Sequence, residues 1–406
     1  MNRNTITEMA TAAIHGVQND IAEHAHLMPI YATSTFTFDS AEQGMNRFSG
    51  KEQGFIYSRF GNPTTSAAAR LIADLETHGL KTATGEPMQA HAFLTSSGQA
   101  ALATLMMSLV KTGDTIISDH VLYGGTHEFF TNFLPGLGIH TVFINMTDPN
   151  ALEQALKDNP STRLIHIETP ANPIMQCTDI AAVCRIARKY QVTVTIDNTF
   201  ATPYLQQPFK YGVDYIFHST TKFLNGHGSA IGGVIIGRHI PFMRTQMAKT
   251  HKLLGGNSNP FDAFMLMQGI KTLAVRMDRH CSNAMQVADY LSAHPAVAKV
   301  NYNGLASHPD YAISKKQMRT AGAVLSFELK GGFEQSVQFI NKLQLCVRAV
   351  SLGTVDTLIS HPASMSHSGM SKEEREEAGI SDGLIRMSVG LEDINDILND
   401  LGQALD

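Results

Sequence analysis

Cysteine is scarce in this chain of 406 residues, which has only four. They are Cys177, Cys184, Cys281 and Cys346. None forms a C-x-x-C pair or has zinc-finger spacing to a histidine, so the sequence provides no cysteine-based metal site. We expect four free, buried thiols rather than disulfides, as is usual in a reducing compartment.

Charged residues are also few, at 17% of the chain, and the formal net charge is −5. The sequence has no long basic run, which argues against nucleic acid or an anionic membrane as the main partner. A low charged fraction on a long chain indicates that part of the surface is buried in an oligomer. No segment approaches the roughly 18 apolar residues of a membrane span. Residues 1–16 have no apolar core like that of a signal peptide, so we expect a cytoplasmic protein.

The order of predicted helices and strands favours an α/β fold in two domains, as does the length. Strand-like and helix-like segments alternate from the strand at 90–95 to the strand at 192–196. Repeated β-α units predict a mostly parallel sheet covered by helices on both faces. Long helices and separate strands after residue 255 predict a smaller α+β domain. We therefore expect an N-terminal arm at 1–60, a large domain at 61–255 and a C-terminal domain at 256–406.

The predicted arm shows little helical periodicity, and such a long irregular segment usually packs against something else. At its end, Tyr57 and Arg59 lie in the sequence YSRFGNPT. On an extended segment these two side chains point the same way and could reach one anion. The alternative is an ordinary exposed arginine. A short helix is expected at 70–76.

One lysine, Lys222, lies in a polar segment between two apolar runs, 215–217 and 234–236, that predict buried strands. Desolvation beside a core favours the neutral amine, which can form a Schiff base with an aldehyde cofactor. The neighbouring hydroxyl groups of Ser219 and Thr221 could hydrogen-bond a phosphate. The alternative is a loop lysine beside a hairpin.

Polar residues follow several of the predicted strands. Ser97 and Gly98 lie between a strand and a helix, an arrangement that presents backbone N–H groups to an anion. By itself this signal is weak. Asn172 follows the strand at 163–168, and Asp197 ends a later strand. Because ligands of parallel sheets bind beyond the carboxyl ends of the strands, we expect these residues to share one site.

Five segments resemble, in order, motifs of the cysteine/methionine-metabolism family of pyridoxal-phosphate (PLP) enzymes. They are YSRFGNPT, the turn SSGQ, TIDNTFATPYL, the lysine segment HSTTK and LIRMSVGLED. The resemblance extends from about Pro29 to the C-terminus. It implies a PLP-binding domain of the aspartate-aminotransferase type (fold type I), an arm that contacts a neighbouring subunit, and a small C-terminal domain. It also implies a homotetramer built as a pair of dimers.

The resemblance implies which residues bind PLP. They are Lys222, Asp197, Ser97, Gly98, Gln99, Tyr123, Ser219, Thr221, Tyr57, Arg59 and Asn172. Lys222 would hold the cofactor covalently and act as general base, while Asp197 would pair with the pyridine nitrogen. Gly98 and Gln99 would donate backbone N–H groups to the phosphate, and Arg59 would reach it from the neighbouring subunit.

Four residues match positions around the substrate and the ring. Tyr123 would stack on the ring and act in proton transfer at the leaving group, although a tyrosine that opens a helix is more often a core residue. Asn172 would contact the ring hydroxyl, but Asn before Pro is also ordinary turn chemistry. Arg386 would bind the substrate α-carboxylate, assisted by Ser351. Without the motif, Arg386 would suggest a strand-edge ion pair.

The C-terminal half most resembles the methionine γ-lyases of this family. Two positions depart from that pattern: Gly125 stands where those enzymes commonly have cysteine, and His251-Lys252-Leu253 replaces Lys-Asp-Met. The segments SSGQAA, YGGT and NGHGSAIGG are more similar to O-acetylhomoserine sulfhydrylases. We expect a lyase that γ-eliminates L-methionine or L-homocysteine. The alternatives are a γ-replacement enzyme (O-acetylhomoserine sulfhydrylase or cystathionine γ-synthase) and a non-catalytic PLP-binding paralogue; no metal is expected.

Overall fold

Two β-sheets organise the protein in the computed structural model, which describes residues 6–17, 24–366, 368–369 and 371–406. The larger sheet consists of β1 (His91–Thr95), β2 (Thr115–Asp119), β3 (His140–Ile144), β4 (Thr162–Glu168), β5 (Thr193–Asp197), β6 (Tyr215–Ser219) and β7 (Gly233–Gly237). The smaller sheet consists of β8 (Val297–Asn301), β9 (Val324–Leu329), β10 (Val347–Arg348), β11 (Leu358–Ser360) and β12 (Leu384–Ser388).

The larger sheet is mostly parallel, as predicted. Its strand order is β1-β7-β6-β5-β4-β2-β3, and only β7 pairs antiparallel with its neighbours. The strands from β2 to β6 are parallel because each is connected to the next through helical segments. Both faces of the central strands are covered, so β2 and β7 are buried along their whole length.

Helices cover both sheets. The first eight are α1 (Met9–His15), α2 (Ala41–Phe48), α3 (Pro63–Glu76), α4 (Gly98–Leu109), α5 (Gly124–Glu128), α6 (Pro149–Asp158), α7 (Ile180–Tyr190) and α8 (Thr202–Leu205). The others are α9 (Ile240–Phe242), α10 (Ala248–Leu254), α11 (Pro260–Lys271), α12 (Leu273–Ala293), α13 (Tyr311–Gln317), α14 (Gly332–Lys342), α15 (Lys372–Glu377) and α16 (Ile394–Leu405). A π-helical turn, Phe129–Phe133, extends α5, and another, Met243–Met247, joins α9 to α10.

The N-terminal segment is more helical than its sequence pattern predicted. Both α1 and α2 lie in the region expected to be irregular, and Ser40 caps α2 by accepting a hydrogen bond from the Gln43 N–H. Helix α3 begins at Pro63, well before residue 70. Asn62 caps it, and proline is favoured at the first helical position because its missing N–H needs no partner there. The sequence-based prediction missed α1, α2 and the start of α3 because the segment has no long stretch of apolar residues at helical spacing, and a capping residue alone is a weak signal.

The C-terminal part is α+β, as predicted, with strand order β10-β11-β12-β9-β8. The sequence did not predict β8 or β11. β8 is largely exposed, so it lacks the apolar alternation of a half-buried strand, and β11 is only three residues long. The long helical region predicted after residue 255 consists of α11 and α12, which are separated at Thr272. The domain boundary at 255/256 stays a prediction.

The expectation of four free, buried thiols is confirmed. All four cysteines are buried and none is in a disulfide. Within the described ranges, no helix combines the length and the apolar character that crossing a membrane requires.

Candidate active site

Most of the predicted site residues meet where the parallel strands end, and Tyr57 and Arg59 are the exceptions. Asp197 is the last residue of β5, and Ser219 is the last residue of β6. Glu168 ends β4, directly beside Asp197 in the sheet register. Parallel strands present their carboxyl ends at one edge, so residues far apart in sequence form a single polar surface there.

Lys222 lies in the turn that connects β6 to β7, three residues beyond the sheet edge. Its Nζ donates a hydrogen bond of 2.8 Å to Ser351 Oγ. Burial lowers the pKa of Lys222 to about 8; the positive charge of Arg386 also lowers it, while Asp197 opposes both. A substantial share of this amine is therefore neutral and nucleophilic near neutral pH.

Two neighbouring carboxyl groups face each other at the strand ends. Burial is the main cause that raises the pKa of both Glu168 and Asp197, and the charge of Asp197 raises that of Glu168 further. Lys222 and His218 lie on the Asp197 side and lower its pKa. Because Asp197 accepts the Thr199 N–H at 2.9 Å and lies near Lys222, we assign the negative charge to Asp197 and the proton to Glu168. The charged form of Asp197 is the form that binds a protonated pyridine nitrogen.

The N-terminus of α4 lies against the end of β6. Ser97 caps this helix, and its Oγ accepts a hydrogen bond from the Ala100 N–H. The N–H groups of Gly98 and Gln99 follow the cap and belong to the first turn, where the helix itself offers no acceptors. A Cβ on Gly98 would lie 2.8 Å from the Cβ of Ser219, so only glycine allows this close approach. These groups together form a cradle suited to a phosphate.

The hydroxyl of Thr221 is already hydrogen-bonded to the backbone of Gly232. Its Oγ1 accepts a hydrogen bond from the Gly232 N–H and donates one to the Gly232 carbonyl, so this hydroxyl ties the lysine turn to the start of β7. The predicted contact of Thr221 with phosphate stays a prediction.

Arg386 lies on β12, an interior strand of the smaller sheet, and is 5% exposed. Its Nη1 donates to Asn172 Oδ1 at 3.1 Å, and its Nη2 donates to the Ser351 carbonyl at 2.6 Å. The alternative of an ion pair at a strand edge does not hold, because β11 and β9 flank β12. Burial lowers the pKa of Arg386 to about 10, so the guanidinium remains charged at neutral pH.

Two buried donor nitrogens have no protein acceptor within the described part of the chain: Nε of Arg386 itself and Nδ2 of the neighbouring Asn172. Buried polar groups are normally hydrogen-bonded, and an orphaned donor suggests a missing ligand. Ser351, which joins Arg386 to Lys222, has a φ of 88°, a strained value for a residue other than glycine. Such strain is concentrated at functional sites.

Tyr123 precedes α5, and its backbone N–H donates to Glu168 Oε2 at 2.9 Å. The side chain is 46% exposed, so it is not the core residue of the alternative interpretation. Its ring packs beside Gly125. A Cβ at position 125 would lie 2.7 Å from Tyr123 Cε1 and 2.6 Å from the side-chain amide nitrogen of Gln99, Nε2. A cysteine at position 125 would require both side chains to move.

Tyr57 and Arg59 lie on the surface, where Arg59 Nη1 donates to the Lys252 carbonyl at 2.7 Å. The Arg59 guanidinium also lies over the ring of Phe60, as does Lys252 Nζ. Within the described residues of one chain, neither Tyr57 nor Arg59 is seen to contact Lys222. Their contact with a neighbouring subunit's cofactor stays a prediction.

His251 belongs to one of the two segments that depart from the methionine γ-lyase pattern, and it connects α10 to β1. The imidazole of His251 is buried, and its Nε2 hydrogen-bonds the Leu94 carbonyl at 2.9 Å. It also stacks on Phe93. Leu253 is 66% exposed.

Glu168 is a site residue that the sequence reasoning did not select. Its two carboxylate oxygens accept the backbone N–H groups of Tyr123 and Asn172, so it fixes the segments that carry both side chains. The available signal was its place at the end of a buried strand, the same position that singled out Asp197.

Comparison with known proteins agrees with this geometry. A family model described as Cys/Met metabolism PLP-dependent enzyme matches residues 10–406. The L-methionine gamma-lyase of Fusobacterium nucleatum subsp. nucleatum is 45% identical over 399 residues, which cover 98% of each chain. The structure of cystathionine gamma synthase from Xanthomonas oryzae pv. oryzae superposes with a TM-score of 0.91 at 36% identity, covering 99% of this chain and 98% of that one.

A Campylobacter jejuni protein, described as a candidate O-acetylhomoserine (thiol)-lyase, was solved with a pyridoxyl-lysine monophosphate. It has a TM-score of 0.91 and 33% identity, covering 98% of this chain and 99% of that one. These neighbours confirm the expected fold-type-I architecture. The donor set at the strand ends also fits PLP in its chemistry: a depressed-pKa amine, a carboxylate, a helix N-terminus for phosphate and an orphaned amide N–H.

Proposed function

Because this chain belongs to the Cys/Met metabolism family of PLP-dependent enzymes, we propose that it is a carbon–sulfur lyase acting on L-methionine or L-homocysteine. The reaction consumes water and gives 2-oxobutanoate, ammonia and a thiol. The observation that carries this proposal is the hydrogen-bonded series Lys222–Ser351–Arg386 beside Asp197. It puts a basic amine next to a cation that suits an amino-acid carboxylate. The L-methionine gamma-lyase of F. nucleatum, at 45% identity, supports the choice of substrate.

Bound PLP supplies an electron sink that stabilises negative charge at the α-carbon of an amino acid. We assign Lys222 to hold PLP and to move the proton at the substrate α-carbon. Asp197 would keep a positive charge at the pyridine nitrogen, and Asn172, whose amide N–H has no protein acceptor within the described residues, would donate it to the ring hydroxyl. Arg386 orients the substrate carboxylate. Tyr123, exposed beside Gln99 and Gly125, moves a proton at the leaving sulfur.

Gly125 favours one second candidate, γ-replacement. Glycine at this position offers no thiol to the site, and it allows Tyr123 and Gln99 to lie closer to the backbone than a cysteine would; a changed contact in a pocket shifts selectivity. The same core residues would serve γ-elimination and the attack of a thiol or sulfide on the same carbon. The match to a cystathionine gamma synthase agrees with this candidate. A non-catalytic paralogue is not favoured, since the family is one of enzymes.

The two reactions are separated by two parallel assays on the purified holoenzyme. In the first, L-methionine alone should release 2-oxobutanoate, measured as the keto acid, together with ammonia and a thiol in equal amounts. In the second, O-acetylhomoserine is supplied with sulfide. Fast homocysteine formation in the second assay with no 2-oxobutanoate in the first would replace the lyase by the γ-replacement enzyme.

We also propose a homotetramer assembled as a dimer of dimers, in which Tyr57 and Arg59 of each chain complete the neighbouring site. The exposed position of this pair supports the proposal. A cytoplasmic location is proposed on the basis of the four free, buried thiols.

A further inference from the structure

Arg276 on α12 is a buried cation held by neutral oxygens alone. It is 3% exposed, and within the described residues its recorded partners include no carboxylate. Its Nη1 donates to the Phe223 carbonyl at 2.9 Å, its Nη2 to the Gly269 carbonyl at 2.8 Å, and its Nε to Thr272 Oγ1 at 3.0 Å. The planar fork thus binds three oxygens from two segments of the chain, the lysine turn and the junction between α11 and α12.

One of these oxygens belongs to the residue that follows Lys222. The turn after Lys222 is closed by the Gly226 N–H, which donates to the Lys222 carbonyl at 2.8 Å. Gly226 has a φ of +72°, and a Cβ there would lie 2.0 Å from Arg276 Nη1. The guanidinium therefore fills the space beside the lysine turn and contacts its backbone directly.

The same helix also holds the strand that carries Arg386. One turn after Arg276, His280 uses its Nδ1 to hydrogen-bond the Val389 carbonyl at 2.7 Å, just beyond β12. The His280 ring also packs edge-on against Phe223, with centroids 5.4 Å apart. Residues four apart lie on one face of a helix, so this face of α12 sets the lysine turn and the Arg386 strand relative to each other.

Stability alone does not explain this arrangement. Removing a cation from water without a counter-ion is energetically costly, so the burial of the Arg276 charge does not by itself stabilise the protein. Burial lowers the pKa of Arg276 to about 10, which still leaves it charged at neutral pH. The guanidinium of Arg276 holds its three acceptor oxygens in fixed positions through three hydrogen bonds.

We propose that Arg276 is a positioning residue that holds the backbone of the Lys222 turn and so aims the Lys222 amine at the carbonyl carbon of PLP. The proposal rests on the assignment of Lys222 as the PLP lysine. That assignment is checked separately: after hydride reduction of the wild-type holoenzyme, peptide mass analysis should find the adduct on Lys222. An adduct elsewhere would refute the assignment of Lys222 rather than test Arg276.

The test compares Arg276→Lys with Arg279→Lys, the same change three residues along α12 at an exposed position. Two quantities are measured for each full-length apoprotein. One is the rate of covalent attachment of added PLP, followed by absorbance. The other is the affinity for pyridoxine 5′-phosphate, which has no aldehyde and binds without a covalent bond. Thermal melting reports on the fold.

We expect Arg276→Lys to slow covalent attachment on the order of 10- to 100-fold, because one ammonium nitrogen cannot replace three guanidinium nitrogens that each reach a different oxygen, and a small misplacement of reacting groups costs that much. Affinity for pyridoxine 5′-phosphate should stay within about twofold of wild type, because α4 and the strand ends are untouched. Arg279→Lys should match wild type in both quantities.

A second variant keeps the test valid if Arg276→Lys does not fold. Thr272→Val removes the acceptor for Arg276 Nε and the hydroxyl that donates to the Gly269 carbonyl, but keeps the guanidinium, and it should slow attachment about threefold, as expected for weakened hydrogen bonding of Arg276. Wild-type attachment rates in the folded variants would overturn the proposal. A parallel loss of attachment rate, pyridoxine 5′-phosphate affinity and melting temperature would also overturn it, since that pattern indicates a merely structural role.

Discussion

The chemistry of Lys222 depends on three neighbours that come from separate parts of the chain. Burial lowers the pKa of its amine to about 8, Arg386 contributes to that lowering, and Asp197 opposes it. Ser351 holds the amine by a hydrogen bond to its Oγ. The sequence predicted a desolvated lysine, but the arginine that tunes it lies on a strand of the other sheet. The reactivity of this residue is therefore a property of the assembled site.

The pH dependence of PLP attachment should report this tuning. Attachment needs the neutral amine, so its rate in the apoprotein should rise with pH and level off above about 8. Arg386→Met removes a like charge and should move the midpoint upward by about half to one pH unit; Asp197→Asn removes an opposite charge and should move it downward. Stopped-flow absorbance across pH measures all three midpoints. Shifts in the reverse directions would contradict the assigned electrostatics.

At the scale of elements, the junction between α4 and β6 forms the candidate phosphate cradle. The helix begins where Ser97 caps it, and Gly98 allows Ser219 to approach within contact distance. The sequence identified the Ser-Gly turn as a weak signal, since many strand-to-helix turns contain glycine. Only the packing of β6 against that turn distinguishes it from the others.

Gly98→Ala should weaken cofactor binding at this junction. The added methyl would lie 2.8 Å from Ser219 Cβ, so the helix start and the strand end must separate. We expect about tenfold weaker affinity for pyridoxine 5′-phosphate, measured by fluorescence titration of the apoprotein. Gly136→Ala is the matched control, because a Cβ there meets no atom within 4 Å. Equal affinities in the two variants would show that the close approach is not needed.

At the scale of the whole molecule, the N-terminal segment presents an apolar and aromatic surface. Met45 and Phe48 on α2 are 65% and 66% exposed, and Tyr57 and Phe60 are also exposed. The Arg59 guanidinium lies over the rings of Tyr57 and Phe60 and is hydrogen-bonded to the Lys252 carbonyl. Exposed apolar surface of this kind is typical of subunit interfaces. It supports the proposal that each site is completed by a second chain.

Complementation between two inactive variants would test shared sites. Lys222→Ala should abolish turnover, and Arg59→Ala should reduce it strongly. When the two are co-expressed, half of the randomly formed dimers are mixed and each mixed dimer contains one intact site, so about a quarter of wild-type activity should return.

The control pair for this experiment is Lys222→Ala with Arg386→Ala. These two residues are connected within one chain through Ser351, so mixing them should restore nothing. Equal behaviour of the two pairs would indicate that Arg59 does not act across an interface.

The sequence by itself determined the fold class and the mostly parallel sheet, and it predicted the principal candidate site residues. Buried parallel strands produce continuous apolar runs, and Asp197 and Ser219 stand at the ends of such runs. Such patterns can be recognised in the sequence because the residues that form them are adjacent in the chain. They could not reveal α2 or the start of α3, whose caps are single residues such as Ser40 and Asn62.

The tertiary structure alone decided which distant groups control the site. Glu168 holds the Tyr123 and Asn172 segments, and Arg276 holds the lysine turn from a helix beyond the larger sheet. Each of these contacts joins residues with no periodic or motif relation. Hydrogen bonds and desolvation act through space, so their partners become visible only when the chain is folded.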